Sequence, residues 1–483
     1  MSTNPVTGDE VARLAAAAPD DVDTAVRRAR EAAERWGELG FAERRRRLLA
    51  WNAVIARRMR ELAHLMHRET GKPVGDGLLE IANTIEHLSW AARNARRVLR
   101  ARRMRGSLLT PEYGGLLEYQ PYGVVGVIGP WNYPAFTPMG SIGYALAAGN
   151  AVVFKPSEYS PAVGEWLVTT FAEAVGDAPM FQAVHGLGDV GAALTRSGVD
   201  KVAFTGSTAT GKRVMAACAE SLTPVVIECG GKDAMIVDAD ADLDAAADAA
   251  IWGGMANAGQ TCVGIERVYA VDSVYDALLT RLVDRAGKLR VAADEGANVG
   301  PITMPGQIDI IRRHIDDAIA RGGTAALGGL DAVRPPYVHP TILTDVPEES
   351  DAVCQETFGP TLTVTRVADA DEAVRRANAT PYGLGASIFG RRRALALARK
   401  VRSGMAAINS TISFAVLPTL PFGGVGESGF GRIHGDDGLR EFARAKAIAR
   451  RRMPSALPLM SFRRTPRAEK LVTRVMRAMH GRR

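Results

Sequence analysis

From residue 124 to residue 228 the chain alternates short apolar runs with amphipathic stretches. VVGVIG (124–129), AVVF (151–154), FQAV (181–184), KVAFT (201–205) and PVVIE (224–228) read as buried strands. A strand apolar on both faces must be covered on both faces. Stretches near 134–148, 160–175, 188–196 and 209–221 have helical spacing and can supply that cover. The pattern predicts parallel βαβ units in a doubly wound sheet, which binds ligands at the carboxyl ends of its strands. A second α/β region is expected from 231 to 430, with strands near 234–237, 265–270, 361–366 and 405–409. Ahead of the first strand, helices are expected over 20–36, 41–69 and 77–102. SLLTPEYGGLLEYQP (107–121) predicts a hairpin that turns at Gly114-Gly115.

At roughly 150 residues per domain, a chain of 483 residues suggests about three domains. The net charge of +7 is unevenly spread. Arg450–Arg483 holds 11 Lys or Arg against one acid, Glu469, so the remainder is mildly acidic at −3. Overall charge therefore gives no argument for nucleic-acid binding. No stretch approaches the ~18 apolar residues that span a bilayer. The start, MSTNPVTGDE, lacks the basic-then-apolar pattern of a secretion signal, so a cytoplasmic protein is expected. Cys218, Cys229, Cys262 and Cys354 lie far apart without CxxC spacing. That argues against a disulfide framework or a metal site.

KVAFT runs into Gly206-Ser207-Thr208-Ala209-Thr210-Gly211-Lys212-Arg213. Glycines at a strand-to-helix junction let backbone N–H groups approach an anion, and the helix dipole favours a phosphate there. A triphosphate loop would need Ser or Thr where this chain has Arg213, and the dinucleotide fingerprint GxGxxG is not matched. The segment alone reads equally as an ordinary strand–helix turn.

Several motifs taken in order are more specific. GPWNYP (129–134), FKPSE (154–158), FTGST (204–208), ECGGK (228–232), GQTCVGIERV (259–268), ETFGP (356–360) and PFGGVGESGFGR (421–432) strongly resemble the aldehyde dehydrogenase superfamily. Their order and spacing match from about residue 20 to 453. The resemblance implies NAD(P)-dependent, non-phosphorylating oxidation of an aldehyde to a carboxylic acid. It implies an NAD-binding domain over 1–102 and 122–230 and a catalytic domain over 231–430. It also implies an oligomerisation arm over 103–121 and 431–453, ahead of a basic amphipathic tail over 454–483.

The same resemblance assigns residues. Cys262 matches the nucleophile, which forms a hemithioacetal and then a thioester. Glu228 matches the general base, and its presence favours water over coenzyme A as acyl acceptor. Asn132 matches an oxyanion donor, with the Cys262 backbone N–H as partner. Trp131, Lys155, Glu158, Gly206, Ser207, Gly211, Glu356 and Phe358 match cofactor-binding positions. Lys155 and Glu158 would contact the adenine ribose, and Gly206, Ser207 and Gly211 the pyrophosphate. Glu356 and Phe358 would hold the nicotinamide ribose and ring. A carboxylate accepts from a ribose diol and repels a 2′-phosphate, so Glu158 favours NAD, while Lys155 leaves NADP open. Cys229 stands where the family usually has Leu.

Trp131, Tyr133, Phe136, Met139, Val263 and the loop Thr411 to Leu417 are mostly apolar and offer no Arg for a carboxylate-bearing substrate. A hydrophobic aliphatic or aromatic aldehyde is expected. The alternatives are a succinate-semialdehyde-type dehydrogenase and an inactive scaffold relative of the same fold. The segments 107–121 and 442–452 resemble arms that pair subunits, so a homodimer or homotetramer is expected. In the tail, Thr465-Pro466 starts a helix. Leu471, Val472, Val475, Met476 and Met479 share one face of it, among Arg467, Lys470, Arg474 and Arg477. Such a helix suits peripheral contact with an anionic membrane or docking on its own dimer.

Overall fold

The computed structural model describes residues 1–107, 110–176, 179–294, 296–454 and 459–481. Its N-terminal helices are α1 (Pro19–Glu38), α2 (Gly40–Arg57), α3 (Met59–Thr70) and α4 (Val74–Leu99). Along α1, Val22, Val26, Ala29, Ala33 and Trp36 recur at three or four residues and form one buried face. The single helix expected over 41–69 is two helices, because Arg58 (φ −106°, ψ 16°) breaks it. The Arg58 guanidinium there bridges Glu61 at 2.7 Å and Glu173 at 2.9 Å. Apolar spacing runs almost unbroken across a one-residue kink, so periodicity conceals it.

The first sheet contains β1 (Val124–Ile128), β2 (Ala151–Lys155), β3 (Phe181–Ala183), β4 (Lys201–Gly206) and β5 (Val225–Cys229). They run parallel in the order β5-β4-β1-β2-β3. Their crossover helices are α5 (Phe136–Ala148), α6 (Pro161–Val175), α7 (Gly188–Arg196) and α8 (Thr208–Ala219). Val124, Val125, Val152, Val153 and Val202 are fully buried, as strands covered on both faces require. The chain builds outward from β1 to β3 and then returns to β4 on the other side. Connections leaving β1 and β4 therefore diverge and open a crevice at their carboxyl ends. The two motifs GPWNYP and FTGST sit at this point. A short strand, Gly429–Phe430, adds antiparallel to β5 with Gly429 opposite Glu228.

The second sheet contains β6 (Asp233–Val237), β7 (Ile265–Val271), β8 (Thr341–Thr344), β9 (Thr361–Val367), β10 (Ala386–Phe389) and β11 (Ala407–Ile408). These are parallel in the order β8-β9-β7-β6-β10-β11, and Thr324–Leu327 pairs antiparallel at the β8 edge. Helix α9 (Leu243–Met255) connects β6 to the loop ahead of β7. The sequence reading missed β8 and β10, which at four residues each are too short to show a pattern.

A third, three-stranded sheet places Tyr113–Pro121 between Arg102–Arg105 and Ala443–Arg451, antiparallel to both. This corrects the expected turn, since Gly114 and Gly115 lie inside a strand. They are small because neighbours approach closely: a Cβ on Gly115 would lie 3.0 Å from Met104 Cβ, and one on Gly114 would meet the Arg452 guanidinium. Residues 108–109 of the expected hairpin lie outside the described residues.

In the tail, α10 (Pro466–His480) is capped by Thr465, whose hydroxyl accepts from the Ala468 N–H. Residues 455–458 and 482–483 of the tail lie outside the described residues. Among the described residues no helix is long and apolar enough to cross a membrane.

Candidate active site

Glu228 closes β5, and Cys262 lies in the loop between α9 and β7. The Cys262 thiol donates to Glu228 Oε1 across 3.7 Å. The loop is held by unusual backbone: Asn257, Ala258 and Gly259 take φ of 52°, 56° and 70° in succession. Gly259 has no alternative, because a Cβ there would overlap the backbone of Gly359 and Pro360 in ETFGP. Gln260 fastens the loop outward, donating to Asn257 O at 2.9 Å and accepting from the Thr303 N–H at 2.8 Å.

Glu228 is buried, and burial pushes its carboxyl up to about 7. The Thr205 hydroxyl donates to its other oxygen at 3.3 Å. Burial also pushes the Cys262 thiol well above its ordinary value, and the nearby Glu228, Glu356 and Asp233 carboxyls add to the effect. The resting sulfur is thus a thiol. A thiol is a poor nucleophile until a base takes its proton, and Glu228 is in place to do so.

Asn132 follows β1 and is buried beside this pair. Its Nδ2 donates one N–H to Gln260 O at 2.9 Å, and a second N–H remains on the same nitrogen. The GPWNYP loop is anchored from below by Glu80 on α4, whose Oε1 accepts from the N–H groups of Ala135 and Phe136 at 2.9 and 3.0 Å. Glu80 is itself paired with buried Lys72, which lies 3.9 Å over the Tyr133 ring.

A cleft of about 870 Å³ opens at the β1/β4 crevice and reaches Cys262 and Asn132. Trp131, Lys155, Glu158, Gly206, Ser207, Glu356 and Phe358 all line it. Gly211 does not: its Cβ position lies 3.0 Å from Cys229 Sγ and 3.2 Å from Ile227, so it seats α8 against β5. Ser207 caps α8 by accepting from the Thr210 N–H, and both residues line the cleft, so a helix N-terminus, which favours an anion, lies at its wall. Lys155 Nζ, deeply buried, lies 3.1 Å from the half-exposed Glu158 carboxylate. The Trp131 ring meets Phe358 edge-on at 5.6 Å. Glu356 is the informative wall residue. Its Oε1 is buried without a hydrogen-bond partner among the described residues, and burial pushes the group up to about 8. A Cβ on Gly230 would collide with that carboxyl. A sugar hydroxyl in the cleft would supply the missing donor.

A second, smaller cavity meets the same sulfur from the opposite side and is lined by both Cys262 and Glu228. Tyr133, Phe136, Val263, Ile412, Ala415 and Val416 form part of its wall. Of the other expected substrate residues, Met139 is core and Trp131 faces the large cleft. Leu79 on α4 and Trp252 on α9 were not foreseen. They line the cavity and are themselves 46% and 43% exposed at its rim. No Arg or Lys is among the lining residues.

Two further residues escaped the motif reading. Lys232, in the connection from β5 to β6, and Glu266, on β7, form a buried ion pair. Glu266 accepts from the N–H groups of Thr357 at 2.8 Å and Phe358 at 3.0 Å, and Lys232 donates to Thr357 Oγ1 at 3.0 Å. The pair therefore holds ETFGP in place. A Lys and a Glu embedded in otherwise buried segments were the available signal.

The family model described as the aldehyde dehydrogenase family matches residues 1–448. A Methylomonas sp. protein named 4,4'-diapolycopene aldehyde oxidase is 37% identical, over 92% of this chain and 84% of its own. A Mycobacterium ulcerans (strain Agy99) protein whose name carries succinate-semialdehyde dehydrogenase and NADP(+) is 34% identical, over 94% of this chain and 89% of its own. Among solved structures, an indole-3-acetaldehyde dehydrogenase complexed with NAD+ superposes with a TM-score of 0.88 at 32% identity, covering 93% of this chain and 92% of its own.

Proposed function

The chain belongs to the aldehyde dehydrogenase family, and from that premise we propose that it oxidises a hydrophobic aliphatic or aromatic aldehyde to the carboxylic acid. The observation that carries this reading is the Cys262–Glu228 contact beside two cavities, a large one whose wall includes Lys155, Glu158 and Glu356 and a smaller, mostly apolar one.

In this reading the aldehyde enters the apolar cavity and Glu228 takes the thiol proton. Cys262 sulfur then bonds to the carbonyl carbon. The resulting alkoxide accepts from the free Asn132 N–H and the Cys262 backbone N–H, which stabilise it as it forms. Bound in the large cleft, NAD supplies the acceptor for the hydride that leaves the hemithioacetal carbon. Glu228, its carboxyl near neutrality, gives the first proton to solvent; water then attacks the thioester that remains, and Glu228 takes the water proton and returns it to the departing sulfur. The products are the acid and the free thiol.

NAD is favoured over NADP by the position of Glu158, which would oppose a 2′-phosphate beside Lys155. The absence of Arg and Lys among the described residues of the apolar wall favours hydrophobic aldehydes over succinate semialdehyde. The exposed rim of Leu79, Trp252 and Val416 supports the same choice. The three-stranded sheet leaves Ala443–Arg451 as a long exposed edge, which supports assembly of a homo-oligomer. In this division 1–102 and 122–230 serve the cofactor, 231–430 the chemistry, and 103–121 with 431–453 the assembly.

An aldehyde panel with NAD and NADP tests the reading. Long aliphatic and aromatic aldehydes should lead in kcat/KM with NAD. A panel led by succinate semialdehyde, or by NADP, would overturn it.

A further inference from the structure

The family match ends at residue 448, so α10 lies beyond it. We propose that α10 and the segment just before it bind an anionic lipid-bilayer surface, holding the enzyme peripherally at a membrane.

Charge is the first observation. The stretch from Arg450 carries +10, while the rest of the chain carries −3. Among the described residues, Arg467, Lys470, Arg474 and Arg477 enter no ion pair. The one acid of the stretch, Glu469, is taken by Arg464 at 3.3 Å. These cations therefore remain free to meet an external anionic surface.

The second observation is the apolar edge. Leu471, Val475 and Met479 follow one another at helical spacing along the border of the basic face, Leu471 one turn after Arg467. Leu471 and Met479 are 47% and 46% exposed, and Val472, Val475 and Met476 are half-buried. Just upstream, Met460 is largely exposed and Phe462 fully so. Phe, Leu and Met side chains spread over a line suit insertion at the headgroup boundary, while Lys and Arg stems reach back to lipid phosphates. A nucleic acid would match the charge and leave the aliphatic edge in water. The helix is too polar and short to span, so contact in the plane of the surface is the geometry that remains.

The inference does not depend on which aldehyde is oxidised. The full-length enzyme is sedimented with vesicles of equal parts phosphatidylglycerol and phosphatidylcholine, and with pure phosphatidylcholine vesicles. At low salt, partition to the anionic vesicles should be at least about tenfold stronger, and added salt should weaken it. Replacing the four unpaired cations (Arg467→Glu, Lys470→Glu, Arg474→Glu, Arg477→Glu) should weaken it by about 100-fold or more. Leu471→Asp with Met479→Asp should weaken it by about tenfold. A chain ending at Met453 should lose vesicle binding and keep NADH formation. Equal binding to both vesicles, no binding at low salt, or binding that survives truncation would each overturn the proposal. So would a truncation that leaves vesicle binding unchanged yet lowers the assembly mass, which would place the helix against its own oligomer.

Discussion

Cys262 Sγ and Glu228 Oε1 are 3.7 Å apart, although Glu228 lies on a strand of the first sheet and Cys262 on the loop that leads into a strand of the second. One sheet supplies the proton acceptor and the other the nucleophile. The reactive pair thus sits where the two sheets meet, and both cavities reach its sulfur.

The pair gives activity a pH dependence. A base works only when ionised, and burial raises the Glu228 carboxyl to about 7. Lowering the pH through that value protonates it. kcat/KM should therefore fall about tenfold per pH unit below about 7. The acid limb should disappear from the residual activity of Glu228→Gln. An unchanged limb in that variant would assign the titration to another group.

Asn132 should matter to the reaction rather than to cofactor binding. Asn132→Ala removes one alkoxide donor, so kcat should drop by roughly 100- to 1,000-fold. The Kd for NAD, measured by fluorescence titration, should stay within about threefold. Near-normal turnover would remove the oxyanion assignment.

Glu158 should set cofactor preference. Its carboxylate stands 3.1 Å from Lys155 Nζ, and a 2′-phosphate brought there would face like charge. Glu158→Gln should raise the NADP-to-NAD ratio of kcat/KM by about tenfold or more. A ratio unmoved by the substitution would place the discrimination elsewhere in the cleft.

Lys232 and Glu266 should behave as a unit. Both are buried, so Lys232→Met strands a carboxylate in the core and should cost about 3–5 kcal/mol in urea unfolding. Adding Glu266→Gln should recover part of that loss. Activity should recover less, because Gln supplies one carbonyl oxygen where Glu266 now serves the N–H groups of both Thr357 and Phe358.

Much of this was legible in the sequence because long apolar strands and motif glycines leave local traces. Five strands of the first sheet fell close to their expected bounds. What stayed hidden was tertiary. The split at Arg58 comes with an ion pair to Glu173, which is remote in the chain. Gly114 and Gly115 read as a turn because the strand packed against them, Ala443–Arg451, is more than three hundred residues away. Gly211 shares a motif with Gly206 yet faces Cys229 on β5, and only the docking of α8 reveals it. The supports of the site, Glu80, Lys232 and Glu266, act through partners on other elements, so their roles stay hidden even for Lys232 and Glu266, which lie inside quoted motifs.

The most direct test is chemical. Glu228→Gln enzyme is mixed with an aldehyde and NAD, quenched, and examined by peptide mass spectrometry while NADH is counted. An acyl adduct is expected on the peptide containing Cys262, formed more slowly than in the unsubstituted enzyme because the thiol has lost its base, at about one NADH per subunit and followed by still slower turnover. No adduct with sustained turnover, or an adduct on Cys229 in place of Cys262, would contradict it.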